Sequence, residues 1–318
     1  MKLGLVGSGM IVQTVLEFIF EIDGIEVTSL YCRDPEKGRE LTRNNDIVYY
    51  DDYDGFLKSD IDTVYIGISN YMHYEYTKRA LLNGKSAIVE KSFTLNLDDA
   101  IELKELALKN NLYLFEAITN IHLPAFEQIK NQLKNLGDVR IVSCNYSQYS
   151  SRYDSFKQGI ILPAFDKTKG GGALFDLNIY NIHFVVGLFS KPEKVHYYPN
   201  IEKGVDTSGV LILEYPGFKA VCIASKDTSA PIMSTIQGNK GSIQIQGPVS
   251  TLSDNYIQLN DQSKQALPSN NIHRMVPEFE NFANIMNNND YSSMTRLLQH
   301  TTDVMEVLEK AKLTGNLF

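Results

Sequence analysis

The run KLGLVGSGM at residues 2–10 constrains the fold of this chain more than any other feature. A short apolar strand meets Gly7 and Gly9, and then Ile11, Val12, Val15, Leu16, Phe18 and Ile19 recur with a helical period. The alternation continues. IEVTSLY at 25–31 reads as a strand, PEKGRELTRN as a helix with Pro35 in its first turn, and DIVYY as a short strand. TVYIGI at 63–68 is a buried strand, YEYTKRALLNG a helix stopped by Gly84, and SAIVE another strand. NLDDAIELKELALKNN is a helix with Asn96 at its cap position, and LYLFEA is one more strand. Strands separated by helices of about ten or more residues pair in parallel through crossovers. The expectation is an α/β chain whose residues 1–120 form a doubly wound Rossmann domain.

The remainder, residues 121–318, reads as an α+β domain for substrate binding and dimerisation. A helix at 124–135 precedes a strand at 138–148, and a helix at 173–189 follows KGGGA. The strand-like runs KVHYYP, SGVLILEY, KAVCIAS, MSTIQG, GSIQIQG and NYIQL come next, some joined by turns as short as PGF and NKG. Such turns favour a mainly antiparallel, open-faced sheet. Two helices, at 275–288 and 293–313, end the chain.

The glycine loop has a mechanism. Gly7 allows a tight turn and Gly9 lets backbone approach a pyrophosphate, while Met10 and Ile11 open a helix whose amides and dipole favour that anion. The third fingerprint position is Val12, larger than the usual Gly or Ala. At the tip of the second strand stand Tyr31, Cys32, Arg33 and Asp34. Arg33 is placed to meet a 2′-phosphate, so NADP is preferred over NAD; Asp34 turning to the ribose is the alternative. Ser69, Asn70 and His73 follow the fourth strand, and Glu90 and Lys91 end the fifth, at the carboxyl edge where such folds bind ligands. Asn70 is expected at the nicotinamide ribose; for His73 the alternative is capping or packing of the next helix.

LFDLNIYNIH places Asp176, Tyr180 and His183 at i, i+4 and i+7. At roughly 100° per residue they fall within about 60° of one another on one helix face. An acid, a phenol and an imidazole in one line suit proton transfer. The competing readings are a satisfied core tyrosine, a helix-start carboxylate for Asp176 and a packed histidine for His183. A phenol titrates near 10, and a neighbouring Lys91 cation would lower it; alternatively Lys91 is itself the acid.

A formal net charge of -8 argues against general nucleic-acid or anionic-membrane binding. The cysteines, Cys32, Cys144 and Cys222, have no metal-ligand spacing and read as reduced thiols, and no Asp/Glu/His/Cys cluster has the spacing of a metal site. The first residues lack a signal-peptide run, and no segment reaches the roughly 18 apolar residues of a span. The expected location is cytoplasmic.

GSGMI, GISNYMHYEYTKRALLNGKSAIVEKS and GGGALFDLNIY, in this order, resemble the Gfo/Idh/MocA family of NAD(P)-dependent oxidoreductases. The family's EKP stands here as Glu90-Lys91-Ser92, its PN-x-x-H keeps Asn70 and His73, and Asp176 matches its acid. Tyr180 replaces the commoner histidine, as in the dihydrodiol dehydrogenase and glucose–fructose oxidoreductase branches. The resemblance implies hydride transfer between nicotinamide and a secondary alcohol or ketone on a small sugar, polyol or derivative. It implies Lys91, Tyr180 and Asp176 as catalytic residues, and a homodimer or higher homo-oligomer through the C-terminal sheet. The alternatives are a nucleotide-binding sensor without catalysis, or a biliverdin reductase-like enzyme reducing C=C or C=N.

Overall fold

The computed structural model describes residues 1–269 and 272–317. The chain forms two compact units: Met1–Ala117 with Met275–Thr302, and Ile118–Arg274 with Asp303–Phe318.

In the first unit, β1 (Lys2–Val6), α1 (Met10–Phe18), β2 (Glu26–Tyr31), α2 (Pro35–Thr42), β3 (Val48–Tyr50), α3 (Tyr53–Leu57), β4 (Thr63–Ile66), α4 (His73–Leu82), β5 (Ser86–Glu90), α5 (Leu97–Lys109) and β6 (Leu114–Ala117) alternate as expected. All strand pairs are parallel, in the order β3-β2-β1-β4-β5-β6. The order reverses between β1 and β4, the switch point of a doubly wound sheet. Every residue of β4, β5 and β6 is buried, because helices cover both faces of a parallel sheet. Asp34 caps α2 by accepting from the Glu36 and Lys37 amides, and Pro35 fills its first turn. Asn96 occupies the cap position of α5, but its side-chain amide donates to Asp99 rather than its oxygen capping the helix.

The second unit contains α6 (Pro124–Gln132), β7 (Val139–Ser147), α7 (Tyr153–Lys157), a π-helical turn at Leu174–Asn178, α8 (Ile179–Phe189), β8 (Lys194–Glu202), β9 (Val205–Tyr215), β10 (Phe218–Ser225), β11 (Met233–Gly238), β12 (Gly241–Gln246), β13 (Asp254–Leu259) and β14 (Gln265–Leu267). The strands form one sheet in the order β14-β13-β12-β11-β7-β10-β9-β8, antiparallel except for the pair β7 and β10. Buried and partly open residues alternate along β9 and β12. The sheet therefore has one covered and one open face. Residues 179–186 of α8 are all buried, with contacts to β7 and β10. By length and composition residues 167–189 would pass as a bilayer-crossing helix, but most of the stretch is buried in this unit, which makes it a core helix. Cys144 and Cys222, distant in sequence, are cross-strand neighbours; both are buried free thiols.

A division at residues 120 and 121 assigns the two terminal helices to the second domain. The structure instead packs residues 275–302 with the first unit. The reason lies in α9 (Val276–Asn287): its Phe279 ring stands 5.7 Å from Phe18 and 5.4 Å from Tyr65, and its Phe282 ring stacks 4.6 Å from Phe115. Each fully buried phenylalanine contributes about 1.5–3 kcal/mol of burial. The last helix, α10 (Tyr291–Thr314), supplies residues to both units.

Candidate active site

A cleft of about 450 Å³ lies at the switch point of the first sheet, lined by Gly7, Ser8, Gly9, Ile11, Tyr31, Cys32, Arg33, Asp34, Lys37, Gly67, Ile68, Ser69, Met72 and Tyr76. Gly7 has φ +122°, and a Cβ there would stand 2.5 Å from the Gly67 carbonyl oxygen. Only glycine suits that position. Gly9 is the N-cap of α1; a Cβ on it would meet nothing within 4 Å. No side chain caps the first amides of α1 and no acidic residue occupies its first turn, so the helix presents its donors and positive dipole end to the cleft. Val12, the oversized third fingerprint residue, is fully buried and faces Gly67, whose Cβ would lie 2.7 Å from Val12 Cγ2. The glycine missing from the helix thus sits across from it, after β4.

At the far side, Asp34 is committed to the α2 amides, at 3.1 and 3.3 Å. Arg33 and Lys37, both exposed, line the same cleft. The Tyr31 hydroxyl lies 3.3 Å from that of Tyr76, and burial pushes the Tyr31 phenol up. Burial also raises the Cys32 thiol, whose S–H donates to the Asp34 carbonyl, so it is a poor nucleophile.

Of the expected cofactor residues, the cleft brings together Gly7, Gly9, Ile11, Arg33 and Ser69. Met10 is 73% exposed at the start of α1, and Asn70 opens the short turn before α4. His73 and Glu90 depart from a cofactor-contact reading. His73 is wholly buried, its Nδ1 2.9 Å from the Ser92 carbonyl oxygen and its Nε2 3.0 Å from that of Ile68. Burial lowers its pKa. Glu90 accepts a hydrogen bond from the buried Tyr65 hydroxyl at 2.7 Å. The Phe93 amide donates to Glu116 at 3.0 Å. Lys91 is half-buried and directly follows β5, between Glu90 and a cis peptide to Ser92. Lys37, Tyr76 and Gly67 were not anticipated. Lys37 was legible in principle, one helical turn beyond Arg33; Tyr76 and Gly67 carry no local signal.

In the second unit, the triple glycine is a packing device. A Cβ on Gly171 would stand 2.6 Å from the Pro163 carbonyl oxygen, and one on Gly172, where φ is +118°, would land on Asp206. Asp206 uses that room to accept from the Leu174 amide at 2.7 Å and the Tyr197 hydroxyl at 2.8 Å. Burial raises Asp206 to about 6 despite these donors.

The π turn at 174–178 alters the helix face expected from a uniform 100° step, because its wider turn delays each residue. Asp176, Tyr180 and His183, expected on one helix face, differ in exposure. Asp176 keeps a 36% exposed side chain and pairs with Lys226 at 2.8 Å. Tyr180 is nearly buried, with the Tyr146 ring 6.1 Å away and the Arg274 guanidinium 6.0 Å from its centroid. Its carbonyl is held by Asn120 at 2.8 Å. His183 is wholly buried, and burial lowers the pKa of its neighbour His122 to about 3. His183 is thus a core residue. Lys226, at the end of β10, is the polar partner that sequence reasoning missed.

A sequence model of the GFO_IDH_MocA oxidoreductase family, NAD-binding Rossmann fold, matches residues 1–118, and the GFO/IDH/MocA C-terminal domain matches 127–244. The scyllo-inositol 2-dehydrogenase (NADP(+)) IolU of Bacillus subtilis (strain 168) is 34% identical over 248 residues, 77% of this chain and 75% of that protein. The chain belongs to the Gfo/Idh/MocA family.

Another Gfo/Idh/MocA-like relative, the trans-1,2-dihydrobenzene-1,2-diol dehydrogenase of Xenopus tropicalis, is 31% identical over 77% of this chain and 74% of its own length. Among solved structures, KijD10, a 3-ketoreductase from Actinomadura kijaniata in complex with NADP and TDP-benzene, shares the fold with a TM-score of 0.87 at 21% identity, covering 99% of this chain and 97% of that one. Within the Gfo/Idh/MocA frame, the paired α/β and mainly antiparallel sheets expected from the sequence are present.

Proposed function

We propose that this chain is an NAD(P)-dependent dehydrogenase or reductase, with NADP preferred, acting on a secondary alcohol or carbonyl of a cyclitol, sugar or related polyol. The observation that carries this reading is the glycine-lined cleft at the switch point, seen in a chain whose relatives are an NADP-dependent inositol dehydrogenase and diol dehydrogenases. The cleft fits the cofactor. Gly9 offers backbone without a side chain, the uncapped start of α1 offers amides for a pyrophosphate, and Arg33 with Lys37 on the same cleft would hold a 2′-phosphate. Asp34 uses Oδ1 for its helix cap, which holds its side chain toward α2.

When bound, the nicotinamide supplies the hydride acceptor or donor. Tyr180 gives the substrate oxygen its proton in reduction and takes it in oxidation. Lys91 presents an ammonium to a substrate hydroxyl, and Asp176 accepts another. The reading includes a homo-oligomer through the open face of the second sheet. That face carries the cross-strand pairs Val221–Ile212 and Ile223–Val210, and an apolar patch of this kind favours association. It also includes a cytoplasmic location, in keeping with buried free thiols. The test is NADP+ or NAD+ reduction, followed by absorbance, against a panel of cyclitols, diols and sugars. Turnover of a polyol supports the reading; cofactor binding without turnover on any panel member points to a sensor.

A further inference from the structure

Among the described residues no lysine besides Lys226 is buried, and its side chain is only 2% exposed. A buried ammonium is costly unless it is paired and hydrogen-bonded. Here it is both. Nζ lies 2.8 Å from Asp176 Oδ2, donates to the Ala164 carbonyl, and sits 4.6 Å from the Phe165 ring centre. The backbone of Lys226 is fixed as well, its amide donating to the Thr207 carbonyl at 2.8 Å and its carbonyl accepting from Ser150 at 2.9 Å.

Each end of this link matters for the helix that carries Tyr180. The Ala164 carbonyl also accepts from the Gly172 amide at 3.1 Å, so the ammonium is tied to the segment that starts the π turn. Asp176 lies within that turn, and while Oδ2 is engaged by the lysine, its side chain stays about a third exposed. An unpaired carboxylate at such a place would rotate or take up a proton; a carboxylate bonded to a fixed cation does neither. The second acid near this ammonium, Asp206, faces the other way, onto the Leu174 amide and the Tyr197 hydroxyl.

We infer that Lys226 is a positioning residue: it holds Asp176 as an ionised, fixed-rotamer acceptor for a substrate hydroxyl and locks the π turn to the Ala164 segment. The inference rests on the reading of the chain as a polyol oxidoreductase for its kinetic consequence, but not for its structural one. Lys226 acts through Asp176, its carboxylate partner.

The test compares Lys226→Met, Lys226→Gln, Asp176→Asn and the Lys226→Met/Asp176→Asn double variant, with scyllo-inositol and NADP+ as probes. Lys226→Met is expected to raise KM for the polyol by about 10-fold or more, the scale of a lost charged hydrogen bond, with NADPH affinity unchanged. Lys226→Gln, which keeps a donor, recovers part of that loss and stands in should the methionine variant not fold. In the Asp176→Asn background, Lys226→Met adds little, because the two act as one unit. Losses that multiply in the double variant, or a Lys226→Met enzyme with native KM, overturn the inference. Hydrogen exchange over residues 163–178 is measured on the same proteins. If wild type turns over no polyol, the proposed function fails, and exchange decides the positioning role: Lys226→Met and Asp176→Asn opening the same peptides sustains it, and unchanged protection overturns it.

Discussion

Gly67→Ala tests whether the glycine after β4 is there to accommodate Val12. The added methyl would lie 2.7 Å from Val12 Cγ2, 2.9 Å from Tyr65 Cε1 and 3.2 Å from Ile11 Cγ2. Carbon atoms pack best at about 3.5–4.0 Å, so the worst overlap is roughly 1 Å, against a wholly buried residue. Overpacking of this kind costs about 1–3 kcal/mol. Val12→Ala alone removes two methyl groups from a wholly buried site, at about 0.8 kcal/mol each plus a cavity term, for a total of about 2 kcal/mol. If the two changes were independent, the double variant would lose about 4 kcal/mol. Because Val12→Ala removes the closest overlap and the new methyl refills part of the cavity, the double variant should lose only about 2 kcal/mol, a coupling of about 2 kcal/mol. Rescue stays partial because Tyr65 remains close. Urea unfolding followed by circular dichroism gives the three values, and the chain's 18 tyrosines and lack of tryptophan make tyrosine fluorescence a clean second probe. Additive losses would refute the compensation between Val12 and Gly67.

Arg33→Ala and Lys37→Ala should each weaken NADPH by about 1–3 kcal/mol while changing NADH little, read by fluorescence titration; equal weakening of both cofactors removes the 2′-phosphate assignment. Tyr180→Phe should lower turnover by about 10² to 10⁴ with cofactor affinity retained, and near-native turnover on a verified substrate returns proton transfer to Lys91. Asp206 titrates at about 6 in the folded chain against about 3.9 unfolded, so the native state holds its proton more tightly. Its contribution is fully present below about pH 4 and is lost as pH rises through about 6. The melting temperature of wild type relative to Asp206→Asn should therefore fall between about pH 4 and pH 7, and a constant difference contradicts the assignment.

The first sheet was legible because its central strands are buried on both faces and read as unbroken apolar runs between helices that stop at Gly84 or start at Pro35. The one-turn helix α3, capped by Asp52, and the three-residue β14 were too short to leave a period. The cleft was half legible. Gly7, Gly9 and Arg33 announce themselves locally, whereas Gly67 matters only through Val12, more than fifty positions away. The helix bearing Tyr180 was identified, but the rotation of Asp176 within it was not, since a π turn has no sequence period of its own. Lys226 in ASKDT looks like a solvated strand end; its partner Asp176 lies 50 residues earlier, and only tertiary packing buries the pair. His73 takes the packing alternative, because a histidine between two carbonyls and one facing a ribose look alike in sequence.

The packing of α9 on the first sheet sets an order of synthesis. The rings of Phe18, Tyr65 and Phe115 find their partners Phe279 and Phe282 only after residues 118–274 have left the ribosome. Domains translated first ordinarily close first. Here the nucleotide-binding unit waits, with an aromatic face uncovered, while residues 118–274 of the second unit are made. A nascent chain halted anywhere before residue 275 carries its glycine loop in an unfinished core, so cofactor binding on stalled chains of increasing length should appear in one late step rather than at the end of β6.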